Sequence, residues 1–203
     1  MIALLSRAPV AGACKTRLIP RLGRRGAARL QARLLERALA CAGGLELRLW
    51  AEPTTRHAAF LTARRRLGTP LARQPGGDLG RRMVRVLNRE LGRGGPAILI
   101  GSDALDLQSE DLKSALSRLA DDADFVIQPS TDGGYVLIGT RRRLPAGCLN
   151  GVAWSSGREA AQTIARLQRI GRVAVLPLRR DLDDARDWLR ARRDGLIGPL
   201  PGR

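Results

Sequence analysis

The chain has few of the residues that define disulfide-rich, zinc-binding or membrane-spanning proteins. Among its 203 residues are three cysteines, Cys14, Cys41 and Cys148, which are odd in number and widely spaced. This spacing predicts neither a disulfide framework nor a zinc site. No apolar run approaches the roughly 20 residues that a membrane helix needs, so we expect no membrane span.

The N-terminus also lacks the features of a secretory signal. Its apolar stretch covers only residues 2–5 and follows no basic region, which argues against a signal peptide and favours a cytoplasmic protein. Histidine is nearly absent, since His57 is the only one, and it lies in a predicted surface helix where we do not expect catalysis. No histidine lies near Cys14 in the sequence to activate its thiol, so we expect no catalytic cysteine either.

Lysine is scarce in a strongly basic chain. Only Lys15 and Lys113 are lysines, and the other 34 of the 36 basic residues are arginines, which with 19 acidic residues give a net charge of +17. Such an excess suggests nucleic-acid binding. However, the arginines are spread along the whole chain, and aromatic residues make up 3%, so bases would find few rings to stack on. We favour solvated positive helix faces that also attract nucleotide phosphates, and we do not expect nucleic acid as a partner.

Short apolar runs alternate with helical patterns along the chain. The predicted strands cover residues 2–5, 45–51, 71–74, 97–100, 125–128, 135–139 and 173–176, and the predicted helices cover residues 27–42, 55–67, 79–91, 109–120, 158–170 and 184–192. This alternation predicts a three-layer α/β/α fold with a mostly parallel sheet. We expect a single domain at residues 1–195 and a loose, Gly- and Pro-rich tail at residues 196–203.

The carboxyl ends of the strands are where ligands bind in such sheets. The first strand leads into residues 6–18, a loop with Pro9, Gly12, Lys15 and Arg17. Backbone N–H groups and cations in such a loop can bind phosphate oxygens, although the spacing is not that of a Walker P-loop. Lys15 stands out because a chain with only two lysines keeps one of them here, where a compact ammonium differs from a guanidinium. The alternative is an ordinary solvated loop.

Aspartates follow several of the predicted strands. Asp103 comes just after the strand at residues 97–100, where a carboxylate could hold Mg²⁺ or Mn²⁺ against phosphate oxygens, or could simply be a turn residue. After the last strand, Asp183 or Asp181 could supply a second carboxylate to the metal, with helix capping as the alternative. Asp132 lies in an Asp-Gly turn between two strands, which is also a strong hairpin signal.

Five segments of the chain follow one another in a recognisable order. They are Ala8-Pro9 with Gly12 and Lys15 to Leu18, Gln74 with Gly77 to Gly80 and Arg82-Met83, Gly101-Ser102-Asp103, Asp132 to Gly139, and Trp154-Ser155-Ser156. In this order they resemble the motifs of a bacterial family of small proteins related to nucleotide-diphospho-sugar transferases. Some members are named as arsenosugar-biosynthesis glycosyltransferases. The resemblance runs from residue 2 to about residue 188.

The resemblance implies a glycosyltransferase-A-like fold, in which an N-terminal loop cation contacts phosphates and a mid-chain aspartate holds a divalent metal. The chain departs from the family twice. Leu105, with Ala104 before it, replaces the proline usual after the metal aspartate. The late D-x-D-T-P-E-D segment keeps carboxylates at Asp181, Asp183 and Asp187 but loses its Thr-Pro helix start.

Together these inferences define the site that we expect. The site is predicted to take nucleotide and phosphate contacts from Pro9, Gly12, Lys15, Arg17, Gly77, Asp78 and Arg82, metal ligands from Asp103 and Asp183, acceptor contacts from Gly133, Gly134 and Trp154, and a contact with the acceptor hydroxyl from Asp132. Asp78 could instead cap the helix that follows it.

The predicted activity is that of a metal-dependent glycosyltransferase, with Mg²⁺ or Mn²⁺ as cofactor, a nucleotide-diphosphate sugar as donor and an unidentified acceptor. In that reaction the metal and Lys15 would stabilise the diphosphate leaving group. The first alternative is a nucleotidyltransferase that acts on a phosphorylated small molecule. The second is a basic nucleic-acid-binding module, whose binding would fall steeply with salt.

Overall fold

The computed structural model describes residues 1–198, which form one seven-stranded sheet with helices on both faces. The strands are β1 (Ile2–Arg7), β2 (Leu47–Glu52), β3 (Leu71–Arg73), β4 (Ala97–Gly101), β5 (Phe125–Pro129), β6 (Tyr135–Thr140) and β7 (Val173–Val175). Their order in the sheet is β3-β2-β1-β4-β6-β5-β7. Strand β6 runs antiparallel to β4 and β5, and the other four strand pairs are parallel. The predicted mostly parallel α/β/α architecture is therefore confirmed.

The helices divide between the two faces of the sheet. They are α1 (Ile19–Cys41), α2 (Ala58–Leu67), α3 (Leu79–Leu91), α4 (Ser109–Asp121), α5 (Glu159–Gln168) and α6 (Ala185–Arg193). Alternate residues of each strand point to opposite faces. Leu4 of β1 accordingly belongs to one apolar cluster with residues of α1, α2 and α4, whereas its neighbour Ala3 belongs to another with residues of α3 and α5. Among residues 1–198, no helix is both long and apolar enough to cross a membrane.

The N-terminal part of α1 differs from the sequence prediction. The predicted helix begins at residue 27, but α1 begins at Ile19 and is kinked at Gly23, where φ is +69°. A short 3-10 helix, Thr16–Leu18, precedes it directly. The kink interrupts the helical spacing of apolar residues. The sequence pattern therefore predicts the helix only from the turn after the kink. These extra turns connect the loop that follows β1 to the body of the helix.

A third apolar cluster holds the C-terminal segment against α1. It consists of Leu18, Leu30, Leu34, Leu105, Leu182, Ala191 and Ile197. The N–H groups of Leu196 and Ile197 both donate to the carbonyl oxygen of Ala191, so the end of α6 is part of this packing. From residue 199 onward, the predicted loose tail lies outside the described residues. The cluster brings residues 181–183 beside the loop that follows β1.

Candidate active site

The carboxyl ends of β1, β2 and β4 open into one cleft of about 870 Å³. Small-molecule and cofactor sites generally occupy clefts of roughly 300–1,000 Å³. Ten of the thirteen residues predicted for the site line this cleft: Lys15, Arg17, Gly77, Asp78, Arg82, Asp103, Asp132, Gly134, Trp154 and Asp183. Pro9, Gly12 and Gly133 are not among the lining residues. The roles assigned to these residues stay predictions, but the chain brings most of them together.

Lys15 lies at the centre of an acidic group of side chains. Its backbone is left-handed, with φ 44° and ψ 46°, and only 9% of its side chain is exposed. The ammonium donates to the carbonyl oxygen of Leu182 and to Oδ1 of Asp183 at 2.9 Å, and lies 3.6 Å from Oδ2 of Asp103. Burial alone would lower the pKa of Lys15, but the nearby carboxylates Asp103 and Asp183 outweigh burial and raise it. Lys15 therefore stays charged.

Three carboxylates of the cleft form a group that could hold a metal ion. Asp132, Asp181 and Asp183 each offer an oxygen within 4.8 Å of the others. Burial, together with the charges of Asp132, Asp183 and Asp103, raises the pKa of Asp181 to about 7. The single positive charge of Lys15 thus does not neutralise all of the carboxylates in this part of the cleft. Carboxylate oxygens are the ligands that Mg²⁺ and Mn²⁺ prefer, so these residues fit a divalent metal.

Asp103 approaches the same group from the end of β4. Its carbonyl oxygen accepts from the N–H of Leu182 at 3.1 Å, which links it to the segment of Asp181 and Asp183. A Cβ at Gly101 would lie 2.3 Å from Oδ1 of Asp103, so the carboxylate needs a glycine there. Both carboxylates of the predicted metal pair, Asp103 and Asp183, therefore lie within 4 Å of the Lys15 ammonium. Asp181, predicted as the alternative second ligand, and Asp132, predicted to contact the acceptor, line the same cleft.

The turn between β5 and β6 sets the position of Asp132. Oδ1 of Asp132 accepts from the hydroxyl of Ser130 and from the N–H of Gly134 at 2.8 Å. Gly133 has φ +89°, and a Cβ there would lie 2.0 Å from the carbonyl oxygen of Gly157. Gly133 is thus required by the close approach of two backbone segments. This contact is a structural reason for the glycine that does not depend on the predicted acceptor role.

The part of the cleft beside α3 has a different character. Asp78 accepts from the N–H of Arg81 at 2.8 Å and caps α3, which is the structural alternative considered for it. Arg82 donates to the carbonyl oxygen of Gly77 and to Oε2 of Glu52, both at 2.8 Å. The guanidinium therefore braces the Gly77 loop while remaining on the wall of the cleft. To contact a phosphate, the Arg82 guanidinium would have to bind it in addition to Gly77 and Glu52.

Two acidic residues of the cleft were not predicted from the sequence. Glu52 ends β2, where Arg82 and Arg7 contact its carboxylate. Glu159 begins α5, with 6% of the residue exposed. An acidic residue in the first turn of a helix has an ordinary local explanation, because it interacts favourably with the helix dipole. No sequence signal therefore separates Glu159 from a surface capping residue.

The fold is the one shared by nucleotide-diphospho-sugar transferases and nucleotidyltransferases. A structure from Desulfovibrio desulfuricans G20, provisionally described as such a transferase, is similar to this chain with a TM-score of 0.80 and 25% identity, over 96% of this chain and 95% of that one. Residues 32–156 match the family described as "Uncharacterized protein conserved in bacteria (DUF2064)". The chain belongs to this family, and the expected resemblance is confirmed.

More distant structures share the fold alone. The 4-diphosphocytidyl-2C-methyl-D-erythritol synthase of Anaerococcus prevotii is 8% identical, with a TM-score of 0.60 over 97% of this chain and 99% of that one. A Mycobacterium tuberculosis protein solved with manganese is 16% identical, with a TM-score of 0.50 over 93% of this chain and 96% of that one. No curated protein was found to match the sequence.

Proposed function

We propose that the protein is a divalent-metal-dependent glycosyltransferase that uses a nucleoside diphosphate sugar. The observation that carries the proposal is one cleft in which Lys15 pairs with Asp103 and Asp183, and in which Asp183 forms a carboxylate group with Asp132 and Asp181. Four carboxylates would repel a diphosphate unless a cation lay between them and the phosphates. A divalent metal held by Asp103, Asp132, Asp181 and Asp183 would supply that charge and stabilise a diphosphate leaving group.

The residues of the cleft would position the metal ligands and bind the phosphates during the transfer. In the proposed transfer, the bond between the sugar's anomeric carbon and the diphosphate oxygen breaks, and a bond to an acceptor hydroxyl oxygen forms. The hydroxyl proton goes to solvent or to a cleft carboxylate, and the nucleoside diphosphate leaves. Lys15 would hold the metal-binding carboxylates in place, and Arg7 and Arg17 border the cleft where they could bind the phosphates.

Nucleotidyl transfer is the alternative that the same residues support. Arg7 ends β1, Lys15 lies in the loop after it, and Arg17 lies in the short 3-10 helix that follows. Three cations there suit a triphosphate. The nucleoside monophosphate unit would then pass to the acceptor with release of pyrophosphate. The two reactions differ in their small product. Assays with nucleotide sugars and with nucleoside triphosphates, each with Mn²⁺, therefore separate them, because only the first reaction releases nucleoside diphosphate.

The Asp183→Asn variant tests the metal site. Removing this carboxylate charge should abolish Mn²⁺-dependent nucleotide binding, measured by calorimetry and by thermal shift, because ligand binding raises the melting temperature. Asp121→Asn is the matched control, since Asp121 is exposed on α4, outside the residues that line the cleft. Nucleotide binding that needs no metal, or that survives unchanged in Asp183→Asn, would contradict the proposal.

A further inference from the structure

At the end formed by β6, the loop before α5 and the start of α5, the wall of the cleft combines aromatic rings with a buried carboxylate. Tyr135 begins β6, and Trp154 lies in the loop before α5, with their rings edge to face at a centroid distance of 6.4 Å. Both residues line the cleft, as do Ser155, Gly157 and Glu159. Aromatic faces of this kind pack against the C–H groups of small molecules, while nearby polar groups fix their orientation.

Glu159 has an unusual bonding pattern in this wall. Its Oε1 accepts from the N–H of Ser156 at 2.7 Å, as a capping carboxylate would. Its Oε2 is buried and has no hydrogen-bond partner within residues 1–198. A buried carboxylate oxygen without a donor is costly, and native proteins rarely keep one without a reason. Glu159 lines the cleft, so a ligand there could provide the missing donor once the carboxylate turns toward it.

The distribution of cations in the cleft argues against a phosphate as the ligand beside Glu159. Among the described residues that line the cleft, the basic side chains are Arg7, Lys15, Arg17 and Arg82. These belong to β1 and the loop after it, or to α3. The lining residues contributed by the loop before α5 and by α5 itself include no lysine or arginine. A phosphate placed against Glu159 would meet a carboxylate without a compensating cation, which is unfavourable.

This wall is held in place by the backbone. The close approach of Gly133 to Gly157 fixes the loop before α5 against the turn that carries Asp132. The N–H of Ala160 donates to the carbonyl oxygen of Gly133 at 3.0 Å, which links α5 to the same turn. The wall with Glu159 and the carboxylate group with Asp132 are therefore positioned relative to each other by direct contacts. An acceptor between them would meet a preorganised surface.

We propose that Glu159 and Trp154 form the acceptor subsite and that it takes an uncharged, hydroxyl-rich small molecule, such as a sugar or polyol, in preference to a phosphorylated one. This inference rests on the proposed transferase function. In the subsite, Oε2 of Glu159 accepts a hydrogen bond from an acceptor hydroxyl, and the ring of Trp154 packs on the acceptor's C–H face. The subsite thereby favours transfer to a neutral acceptor over reaction with a phosphate.

The test offers the enzyme matched pairs of acceptors. With Mn²⁺ and the nucleotide sugar that stabilises the protein most, release of nucleoside diphosphate is measured with methyl glucoside against glucose 6-phosphate, and with glycerol against glycerol 3-phosphate. We expect the neutral member of each pair to accelerate release and the phosphorylated member to have no effect. Glu159→Gln should raise the KM for the neutral acceptors at least tenfold and leave the thermal shift caused by the donor unchanged. Trp154→Leu should raise the same KM independently.

Glu36→Gln provides the matched control, because it makes the same chemical change at an exposed position of α1. Preference for the phosphorylated members, no response to any neutral member, or identical kinetics in Glu159→Gln and Glu36→Gln would each overturn the subsite. Failure of the underlying function has a separate signature. In that case the wild-type protein would show no stabilisation by Mn²⁺ and nucleotide, whatever acceptor is added.

Discussion

Lys15 shows why a chain that uses arginine almost everywhere keeps a lysine in this cleft. The side chain is nearly buried and donates to Leu182 and Asp183, with Asp103 close by. An ammonium is compact and can direct its donors to ligands on several sides, whereas a guanidinium is planar and larger. The arginine-rich remainder of the chain made this lysine visible in the sequence. Its partners could not be predicted from spacing, because Lys15 and Asp183 are 168 positions apart.

The Lys15→Met variant tests whether the ammonium stabilises the carboxylates. Removing one partner of a buried ion pair costs about 3–5 kcal/mol in measured cases, and we expect a loss near the lower end because Asp183 is partly exposed. The melting temperature in EDTA should therefore fall. Mn²⁺ should restore more stability in the variant than in the wild type, because the metal replaces the missing positive charge. Equal melting temperatures of both proteins in EDTA would contradict this role.

The absence of a side chain at Gly101 allows the carboxylate of Asp103 to lie in its observed position. In Gly101→Ala the new methyl group would lie 2.3 Å from Oδ1 of Asp103, so the carboxylate must move. We expect at least tenfold weaker Mn²⁺ binding, measured by calorimetry, because a displaced ligand no longer completes the site. Gly92→Ala is the control, since its methyl group would make ordinary contacts at 3.5 Å after α3. Unchanged Mn²⁺ affinity in Gly101→Ala would show that Asp103 does not bind the metal.

Glu159 marks the limit of prediction at the level of single residues. Lys15, Asp103, Asp132 and Asp183 follow strands or turns, and the sequence predicted all four as site residues. Glu159 begins a helix, where its charge has a sufficient local explanation. Its loop is held by the contact between Gly133 and Gly157, which joins segments that only the tertiary structure brings together.

Most elements could be predicted from local patterns. The predicted helix at residues 79–91 agrees with α3 at both ends, because Asp78 caps it and apolar residues recur at helical spacing. Strand pairing is different in kind, since β1 pairs with both β2 and β4, and β6 lies between β4 and β5. That order depends on contacts between distant parts of the chain. Alternation of strands and helices predicts a parallel sheet. The Asp-Gly turn at Asp132 is the local signal that agrees with the single reversed strand, β6.

Helix α4 is tied to the sheet through one buried carboxylate. Asp111 accepts from the N–H of Gln108 at 2.8 Å, from Gln128 at 2.9 Å, and from two nitrogens of Arg179 at 2.9 and 2.8 Å. Burial tends to raise the pKa of Asp111, but the hydrogen bonds from Arg179, Gln108 and Gln128 outweigh it and lower the pKa. One side chain therefore joins α4, β5 and the segment after β7.

Asp111→Asn should weaken this junction. The variant leaves the Arg179 charge unpaired, and we expect a loss of about 3 kcal/mol in the free energy of unfolding, measured by urea denaturation. Because the folded pKa is lowered, the wild-type stabilisation is complete above the unfolded value near pH 4 and disappears as the pH falls through the folded pKa. The difference between the two proteins should thus vanish in acid. A constant difference from pH 7 to pH 2 would exclude the ionised carboxylate as its cause.

At the scale of the whole molecule, the charge of the cleft opposes the charge of the chain. The protein carries a net charge of +17. The cleft, in contrast, is lined by seven acidic and four basic residues: Glu52, Asp78, Asp103, Asp132, Glu159, Asp181 and Asp183 against Arg7, Lys15, Arg17 and Arg82. The overall field attracts anions toward the protein. Inside the cleft, however, a nucleotide needs a divalent cation to approach the carboxylates. Composition alone predicts the first effect and gives no indication of the second.

These opposing charges predict different salt and metal dependences for two kinds of ligand. A DNA duplex should bind only through the dispersed arginines, with a dissociation constant of roughly 10⁻⁴–10⁻⁶ M at physiological salt, as for other non-specific binding. Its affinity should fall steeply with salt and not respond to Mn²⁺. A nucleoside diphosphate should instead require Mn²⁺ and tolerate salt better, because the partly buried cleft is screened less than the surface. Fluorescence anisotropy at 50 and 200 mM salt, with and without Mn²⁺, measures both ligands in one format. Nanomolar duplex binding at physiological salt, together with metal-independent nucleotide binding, would instead favour a nucleic-acid-binding protein.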